Sequence, residues 1–355
     1  MTESPVPAMA SEPEGETCPS PITTRGRMGK VAGVRVAATG SYVPDQIVTN
    51  EDLAALGCDS EWIVRRTGIR QRRRAADGEA TSDMCYEASV RCMEKAGVTA
   101  DQIDLIIVAT MTPDHPTPST GCHLQRRLGV TAPAMDVNAA CAGFMYGMIT
   151  AAQFIAAGNS KCALVVGADL MSRTVDPEDK KTYPLFGDAA GAMLLVADEN
   201  ATEGILSYQV GSEGCGGEML CVPAGGSRTP LTPDTYAKRL QYLTMDGRNV
   251  FKWAVRLFAE SAKDVLADAG VDSSELDMVV LHQANQRIID SAVSDLNVAP
   301  EKVFVNLDRY GNTSGASIPL AIDEAVREGR MKSGDLVLMC GFGAGLAWGT
   351  ALMRW

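Results

Sequence analysis

The sequence predicts an α/β fold built from two copies of an alternating strand–helix unit. Two observations carry this. First, residues 104–110, 162–167, 277–281 and 336–341 form short runs that are apolar almost throughout, as strands buried on both faces of a parallel sheet are. Second, the later half echoes the earlier one. Ala96-Gly97-Val98 and Ala269-Gly270-Val271 each follow a helical stretch and lead to an acidic residue and an apolar run. Asp104-Leu105-Ile106-Ile107-Val108 then corresponds to Asp277-Met278-Val279-Val280-Leu281, and both correspondences hold at an offset of 173 residues. That period is far longer than the ~20–50 residues of a solenoid unit. Right-handed crossovers would give each copy a largely parallel sheet, with ligands beyond the carboxyl ends of its strands.

Residues 1–29 are rich in Pro, Glu, Ser and Thr, and a disordered tail is expected there. Residues 31–38 read as the first strand. Asn50 stands where a helix cap would, before Glu51 and Asp52. In the next helical stretch Trp62 and Arg66 lie at i and i+4, so an aromatic plane and a guanidinium share one face. That pair suits an adenine ring and phosphates. Arg72, Arg73 and Arg74 follow, a basic run whose plain reading is a solvated face. Amphipathic helices are expected at Thr81–Ala96 and Thr120–Leu128. Between them lies a Pro-rich loop with His115 and Thr117. A helix begins after Cys141, and another over 318–327. The division expected is a tail (1–29), an N-terminal half (30–200) and a C-terminal half (201–355).

The totals narrow the class of function. The 355 residues are 46% hydrophobic and carry a net charge of −12, which disfavours nucleic acid and anionic membrane surfaces as partners. No run reaches the ~18 apolar residues of a membrane span, and no secretory leader is evident. Ten cysteines without Cys-x-x-Cys pairs, beside three histidines, suggest reduced thiols, no zinc site and a cytoplasmic location.

Three motifs carry the chemistry. Cys141 sits among Ala139, Ala140, Ala142 and Gly143 at a strand-to-helix junction. Small residues permit a sharp turn and close approach of substrate. The helix N-terminus favours thiolate, the nucleophilic form; a buried structural cysteine is the alternative. His282 directly follows the apolar run 278–281. Asn312 lies in the turn Gly311-Asn312-Thr313-Ser314 before a helix, where capping alone would also explain it. A glycine-rich loop, 341–349, lacks the Lys-Ser/Thr of a phosphate loop. Its N–H groups can instead face an oxyanion.

From about residue 31 to the end, the chain resembles the β-ketoacyl-acyl-carrier-protein synthase III family of thiolase-like condensing enzymes. The resemblance rests on Asn138-Ala139-Ala140-Cys141-Ala142-Gly143-Phe144, Phe186-Gly187-Asp188, His282-Gln283-Ala284-Asn285, Gly311-Asn312-Thr313-Ser314 and the terminal glycine-rich loop. It implies a layered α-β-α-β-α fold. It implies a Cys141, His282 and Asn312 site without metal or cofactor, taking a coenzyme A thioester and an acyl-carrier-protein thioester as substrates. Cys141 would take the acyl group of an acyl-coenzyme A primer. His282 and Asn312 would hold the enolate left when malonyl-acyl carrier protein loses carbon dioxide. Backbone N–H groups of Cys141 and Ala344 would face the second oxyanion. Trp62, Arg66, Lys180 and Asn285 would contact coenzyme A. Lys252, Arg256, Gln283 and Arg287 would dock the acidic carrier protein, and Thr117 and Phe342 would line the acyl pocket. A homodimer is implied, with Thr117 reaching the neighbour's site.

The sequence departs from that pattern in three places. Lys180 stands where arginine is common, which keeps charge but loses a stacking plane. Ala344 replaces a usual glycine and would be strained if φ were positive there. Thr117 replaces a phenylalanine of some relatives, which implies a roomier pocket for branched or longer primers. Cys340 lies near the terminal loop but belongs to an apolar run, so it is read as packed. An acyltransferase or starter-unit synthase that passes the acyl group to another acceptor is the alternative activity. A pocket-bearing partner without turnover is the alternative class.

Overall fold

The computed structural model describes residues 26–198 and 204–355. Residues 1–25, most of the expected tail, lie outside the described residues. The strands are β1 (Arg27–Val31), β2 (Val34–Tyr42), β3 (Gln46–Thr49), β4 (Gln71–Arg74), β5 (Leu105–Ala109), β6 (Ala134–Val137), β7 (Cys162–Leu170), β8 (Asp188–Ala197), β9 (Gly204–Ser212), β10 (Leu220–Cys221), β11 (Thr244–Met245), β12 (Met278–Leu281), β13 (Leu336–Gly343) and β14 (Ala347–Arg354). The helices are α1 (Ser60–Thr67), α2 (Thr81–Ala96), α3 (Thr120–Leu128), α4 (Gly143–Ala156), α5 (Pro233–Ala237), α6 (Gly247–Ala269), α7 (Gln286–Leu296), α8 (Leu307–Tyr310) and α9 (Ser317–Arg327).

Two five-stranded sheets have the orders β2-β8-β7-β5-β6 and β1-β9-β14-β13-β12. An isolated parallel bridge from Val279 to Val303 extends the second sheet beyond β12. Setting β1 aside, the two orders are then the same walk through the chain. The repeat seen in residues 96–108 and 269–281 is therefore a repeat of topology. β8 in the first sheet, and β14 and β9 in the second, run against their neighbours on both sides. β13 and β14 are joined by a three-residue turn rather than a crossover helix, so they pair antiparallel.

Strand residues alternate between two cores, as a period of two requires. Leu105 and Ile107 of β5 face one cluster with Phe144 and Met148 of α4 and Ile318 and Ile322 of α9. Ile106 and Val108 face another with Met84 and Ala88 of α2 and Leu124 of α3. In the second sheet Val337 and Met339 join α4 and α9, while Leu336 and Leu338 pack on Phe258 of α6 and Ile289 of α7. Helices α4 and α9 thus lie between the sheets, with α2/α3 and α6/α7 outside them. This is the expected α-β-α-β-α layering.

Local expectations fail at three places. Residues 27–38 are two strands, and β1, which begins inside the expected tail, pairs with β9 of the second sheet. Asn50 does stand at the start of a 3-10 turn (Glu51–Leu56), but its side chain does not cap it: buried, it takes a hydrogen bond from Arg72 Nη2 at 2.7 Å and gives one to the Ile69 carbonyl at 2.9 Å. Arg72 is no solvated residue: it is 0% exposed, and its guanidinium binds the carbonyls of Val48 and Pro184.

Candidate active site

Cys141 follows β6 through Asn138 and Ala139 and lies two residues before α4. The chain can turn there because Ala140 takes φ of 46° and Asn138 Oδ1 accepts the Ala140 N–H at 3.2 Å. The same turn recurs 174 residues later: Ser314 takes φ of 50° and Asn312 Oδ1 accepts its N–H at 2.9 Å. It leads into α9 as the first leads into α4. The two turns meet between the sheets, with Cys141 Sγ 3.3 Å from Ser314 Oγ. Cys141 is 6% exposed. Burial pushes its thiol up to about 12, against a smaller downward pull from Ser314. Burial thus works against the thiolate that the helix end would favour.

His282 caps β12, its N–H held by the Cys340 carbonyl at 2.8 Å. Its Nδ1 lies 2.7 Å from Ser317 Oγ, and Ser317 also accepts the Gln283 N–H at 3.4 Å. Burial alone holds the imidazole pKa down at about 3, so the ring is neutral. Among the described residues Nδ1 is the one acceptor bonded to the Ser317 hydroxyl, which assigns the hydroxyl proton to Nδ1. The ring proton then sits on Nε2 and can be donated. Phe342 stands edge-on to the ring, with centroids 5.2 Å apart.

Asn312 is held by backbone. Its N–H donates to the Leu185 carbonyl at 2.8 Å and its carbonyl accepts the Gly187 N–H at 3.1 Å. The Phe186-Gly187-Asp188 stretch therefore braces the asparagine. A Cβ on Gly187 would lie 2.3 Å from the Tyr310 carbonyl, so only glycine permits this crossing. With Oδ1 committed to Ser314, the amide N–H groups of Asn312 remain for a ligand.

Cys141, His282, Asn312, Phe342 and Ala344 all line one cavity of ≈ 110 Å³. Its lining includes the apolar cluster of Met111, Met171, Leu220 and Leu243, together with Phe251 and Asn285. Sequence reading missed this apolar cluster, because its residues sit in loops, a 3-10 turn and a two-residue strand, all too short for a periodic pattern. Gly343 packs on Cys141: a Cβ there would lie 2.8 Å from Cys141 N and 2.9 Å from its Cβ. This brings the Ala344 backbone to the same wall. Ala344 has no positive φ, so alanine is unstrained. The expected glycine-rich loop is mostly strand, with only residues 344–346 outside β13 and β14. Cys340 is buried in β13 and takes a bond from Thr350 Oγ1 at 3.1 Å. Among the described residues no cluster of His, Cys, Asp or Glu fits a metal ion.

The remaining predicted residues fall around this cavity. On α1 the Arg66 guanidinium lies over the Trp62 ring at 4.9 Å, and Asn285 Nδ2 donates to the Arg66 carbonyl at 3.1 Å. Asn285 thus ties that pair to the cavity. Lys180 is exposed, its Nζ beside Gly57 just before α1. Lys252 and Arg256 are exposed on α6, and exposed Arg287 lies over Phe251 at 5.5 Å. Arg248, exposed one turn before Lys252, extends this basic stripe and was missed. Gln283 does not belong to it. It is 1% exposed, gives its amide to the Leu281 carbonyl at 2.8 Å, and accepts the Asn306 N–H. Thr117 is exposed and lies outside the cavity of its own chain.

Comparison with known proteins agrees with this geometry. Residues 135–214 match the 3-oxoacyl-[acyl-carrier-protein] synthase III family, and residues 266–355 match its C-terminal part. The chain is 72% identical over 345 residues to a β-ketoacyl-[acyl-carrier-protein] synthase III of Rhodopirellula baltica, covering 92% of this chain and 100% of that one. It is 51% identical over 328 residues to one of Symbiobacterium thermophilum, covering 92% and 99%. Among solved structures, 3-oxoacyl-[acyl-carrier-protein] synthase III of Aquifex aeolicus superposes with a TM-score of 0.84 at 41% identity, over 91% of this chain and 100% of that one. The priming β-ketosynthase of the R1128 polyketide pathway gives 0.83 at 37%, over 92% and 98%. The expected thiolase-like fold is therefore the observed one. Likeness of this extent, running nearly end to end, places the chain in the 3-oxoacyl-[acyl-carrier-protein] synthase III family of condensing enzymes.

Proposed function

We propose that this chain condenses an acyl-coenzyme A primer with malonyl-acyl carrier protein by a decarboxylative Claisen reaction, initiating fatty-acid synthesis. One observation carries the reading: a thiol and two neutral hydrogen-bond donors, brought from both sheets, share a single cavity. Cys141 attacks the primer thioester and becomes acylated, and coenzyme A leaves. Malonyl-acyl carrier protein enters, and loss of carbon dioxide leaves an enolate. His282 Nε2–H and the Asn312 amide hold its oxygen as charge develops. Its carbon attacks the acyl-Cys141 carbonyl, whose oxygen is taken by the N–H groups of Cys141 and Ala344.

Trp62 and Arg66 carry the adenine end of coenzyme A, Lys180 its phosphates and Asn285 its pantetheine. Arg248, Lys252, Arg256 and Arg287 receive the acidic carrier protein. The apolar cluster of the cavity wall takes the primer, with Phe342 holding the imidazole beside it. No metal or cofactor takes part, so dialysis against a chelator leaves turnover unchanged. Thr117 belongs to the site of a second copy. In support, β6 has a strand neighbour on one side only, and Thr117 stands exposed on the loop beside α3. Light scattering of the purified protein at the mass of two chains supports the dimer, and one chain refutes it. No helix among the described residues is long and apolar enough to cross a membrane.

Release of carbon dioxide from malonyl-acyl carrier protein, dependent on prior acylation, tests the activity. Acyl transfer to a hydroxyl or amine without that release would support the alternative. The 72% identical relative favours the synthase.

A further inference from the structure

Glu324 of α9 is a carboxylate with 1% exposure that the steps above do not use. Its Oε1 accepts from Tyr310 Oη at 2.7 Å, Arg309 Nη1 at 3.2 Å and Arg327 Nη2 at 3.3 Å. Its Oε2 accepts from Asn306 Nδ2 at 2.8 Å and Arg309 Nη2 at 3.0 Å. Of these partners, Arg309 and Tyr310 belong to α8 and Asn306 stands directly before it. That helix has 4 residues, too few to hold a shape by its own hydrogen bonds. Glu324 therefore grips it at both ends. Tyr310 stands two residues before Asn312, and Gly311 between them turns the chain with φ of 67°. The grip also reaches His282. Asn306 gives its backbone N–H to Gln283 Oε1 at 3.2 Å. Gln283 Nε2 donates to the Leu281 and Phe304 carbonyls at 2.8 and 3.3 Å. Leu281 and Gln283 flank His282 in the chain. An unbroken set of hydrogen bonds thus starts at the strand end that carries His282. It passes through Gln283, Asn306 and Glu324 and returns through Tyr310 to the turn that carries Asn312.

We propose that Glu324 is a positioning residue that sets the spacing between His282 and Asn312. This rests on the reading of those two side chains as joint donors to one enolate oxygen. Two donors serve one oxygen only when both are aimed at its position beforehand. A misplacement of about 1 Å can cost about 100-fold in rate. The backbone bonds of Asn312 to Leu185 and Gly187 brace it from the other side, but they do not touch the His282 strand. Only the set through Glu324 joins the two donors within the C-terminal half. A carboxylate suits the task, because it accepts on both oxygens. Arg309 binds both of them at once, the geometry that a guanidinium and a carboxylate share. A carboxamide at this position would turn its N–H groups toward either the Asn306 side or the Tyr310 side. Cys141 has no member in this set. Attachment of the primer should therefore proceed without it, and only the step that builds enolate charge should depend on it.

The test reads the two steps separately in wild type, Glu324→Gln and Tyr310→Phe. Acylation of Cys141 by acetyl-coenzyme A is followed by rapid mixing and intact mass. Decarboxylation is followed as carbon dioxide released when malonyl-acyl carrier protein meets the acylated enzyme. Glu324→Gln keeps the side-chain size and should slow decarboxylation about tenfold. Its acylation rate and its KM for malonyl-acyl carrier protein should stay within about twofold of wild type. Tyr310→Phe removes one hydroxyl from a half-buried ring and should slow decarboxylation about threefold, again with acylation unchanged. Decarboxylation by Glu324→Gln within about twofold of wild type overturns the proposal. So does an equal fall in both steps, which would mark a merely structural role, or a rise in KM alone. If Glu324→Gln does not fold, Tyr310→Phe decides alone by the same split. Wild type that is acylated yet releases no carbon dioxide refutes the reading of His282 and Asn312 instead, so the two failures are distinct.

Discussion

Mild acid should weaken this fold through His282 in particular. The side chain is 2% exposed, and burial holds its pKa at about 3 in place of 6.5. Between those values the unfolded chain binds a proton that the folded chain refuses. The stability gained from keeping His282 neutral is therefore complete above about pH 6.5. It is lost at about 1.4 kcal/mol per pH unit as the pH falls toward 3. At pH 5 the loss from this one residue is about 2 kcal/mol. Asp169 and Asp188 act in the opposite sense, because burial raises their carboxyls above the unfolded value. They hold protons more readily when folded, so they gain as the pH drops. Wild type alone reports a composite, and a difference isolates the histidine. Thermal melts of wild type and His282→Gln at pH 7.5 and 5 supply it. The acid-induced fall in Tm should be smaller in the variant by about 3 °C. Equal falls would refute the argument that His282 is held neutral by burial. So would a carbon dioxide release rate in wild type that titrates near pH 6.5, since a donor neutral from 5 to 8 cannot show it.

Three further outcomes follow from the geometry. Ser317→Ala removes the bond that fixes the His282 tautomer, worth about 1 kcal/mol. Malonyl decarboxylation should fall about fivefold while Cys141 acylation stays unchanged, as single-turnover assays of the two steps would read. Gly343→Ala places a methyl 2.8 Å from Cys141 N; overpacking of this kind costs about 1–3 kcal/mol. A lowered Tm with Cys141 alkylation by iodoacetamide more than about tenfold slower is expected. Joint reversal of charge at Lys252 and Arg287 should raise KM for malonyl-acyl carrier protein about tenfold or more at low salt, with KM for acyl-coenzyme A unaffected.

What was legible in the sequence was whatever repeats or carries a period. The β5 and β12 runs, and helices α2 and α3 to the residue, could be placed because burial on fixed faces imposes a pattern. Cys141 and His282 stood out because each follows a strand end, and Asn312 because it lies in a polar turn before a helix. The recurrence of Asn138-Ala139-Ala140 as Asn312-Thr313-Ser314 was also in the letters, but the shared turn became visible only with both φ values positive. Other features have no local signature. Arg72 sits in a run of three arginines, and nothing in that run says that the first is buried against Asn50. Gln283 neighbours His282 and reads as a contact residue, yet its carboxamide is spent on the Leu281 and Asn306 backbone. Strand β1 crosses to the second sheet, a pairing set by tertiary packing with β9. Desolvation of Cys141 depends on how closely Gly343 and the Ser314 turn close around it, which no spacing encodes.

The central claim is that one sulfur holds the acyl chain while a neutral imidazole and an amide steady the enolate. Intact-mass and peptide analysis after incubation with an acyl-coenzyme A tests it directly, followed by addition of malonyl-acyl carrier protein. The account predicts one acyl group on Cys141, discharged with release of carbon dioxide when the carrier protein is added. An acyl group on another residue, or one that malonyl-acyl carrier protein leaves in place, would contradict it.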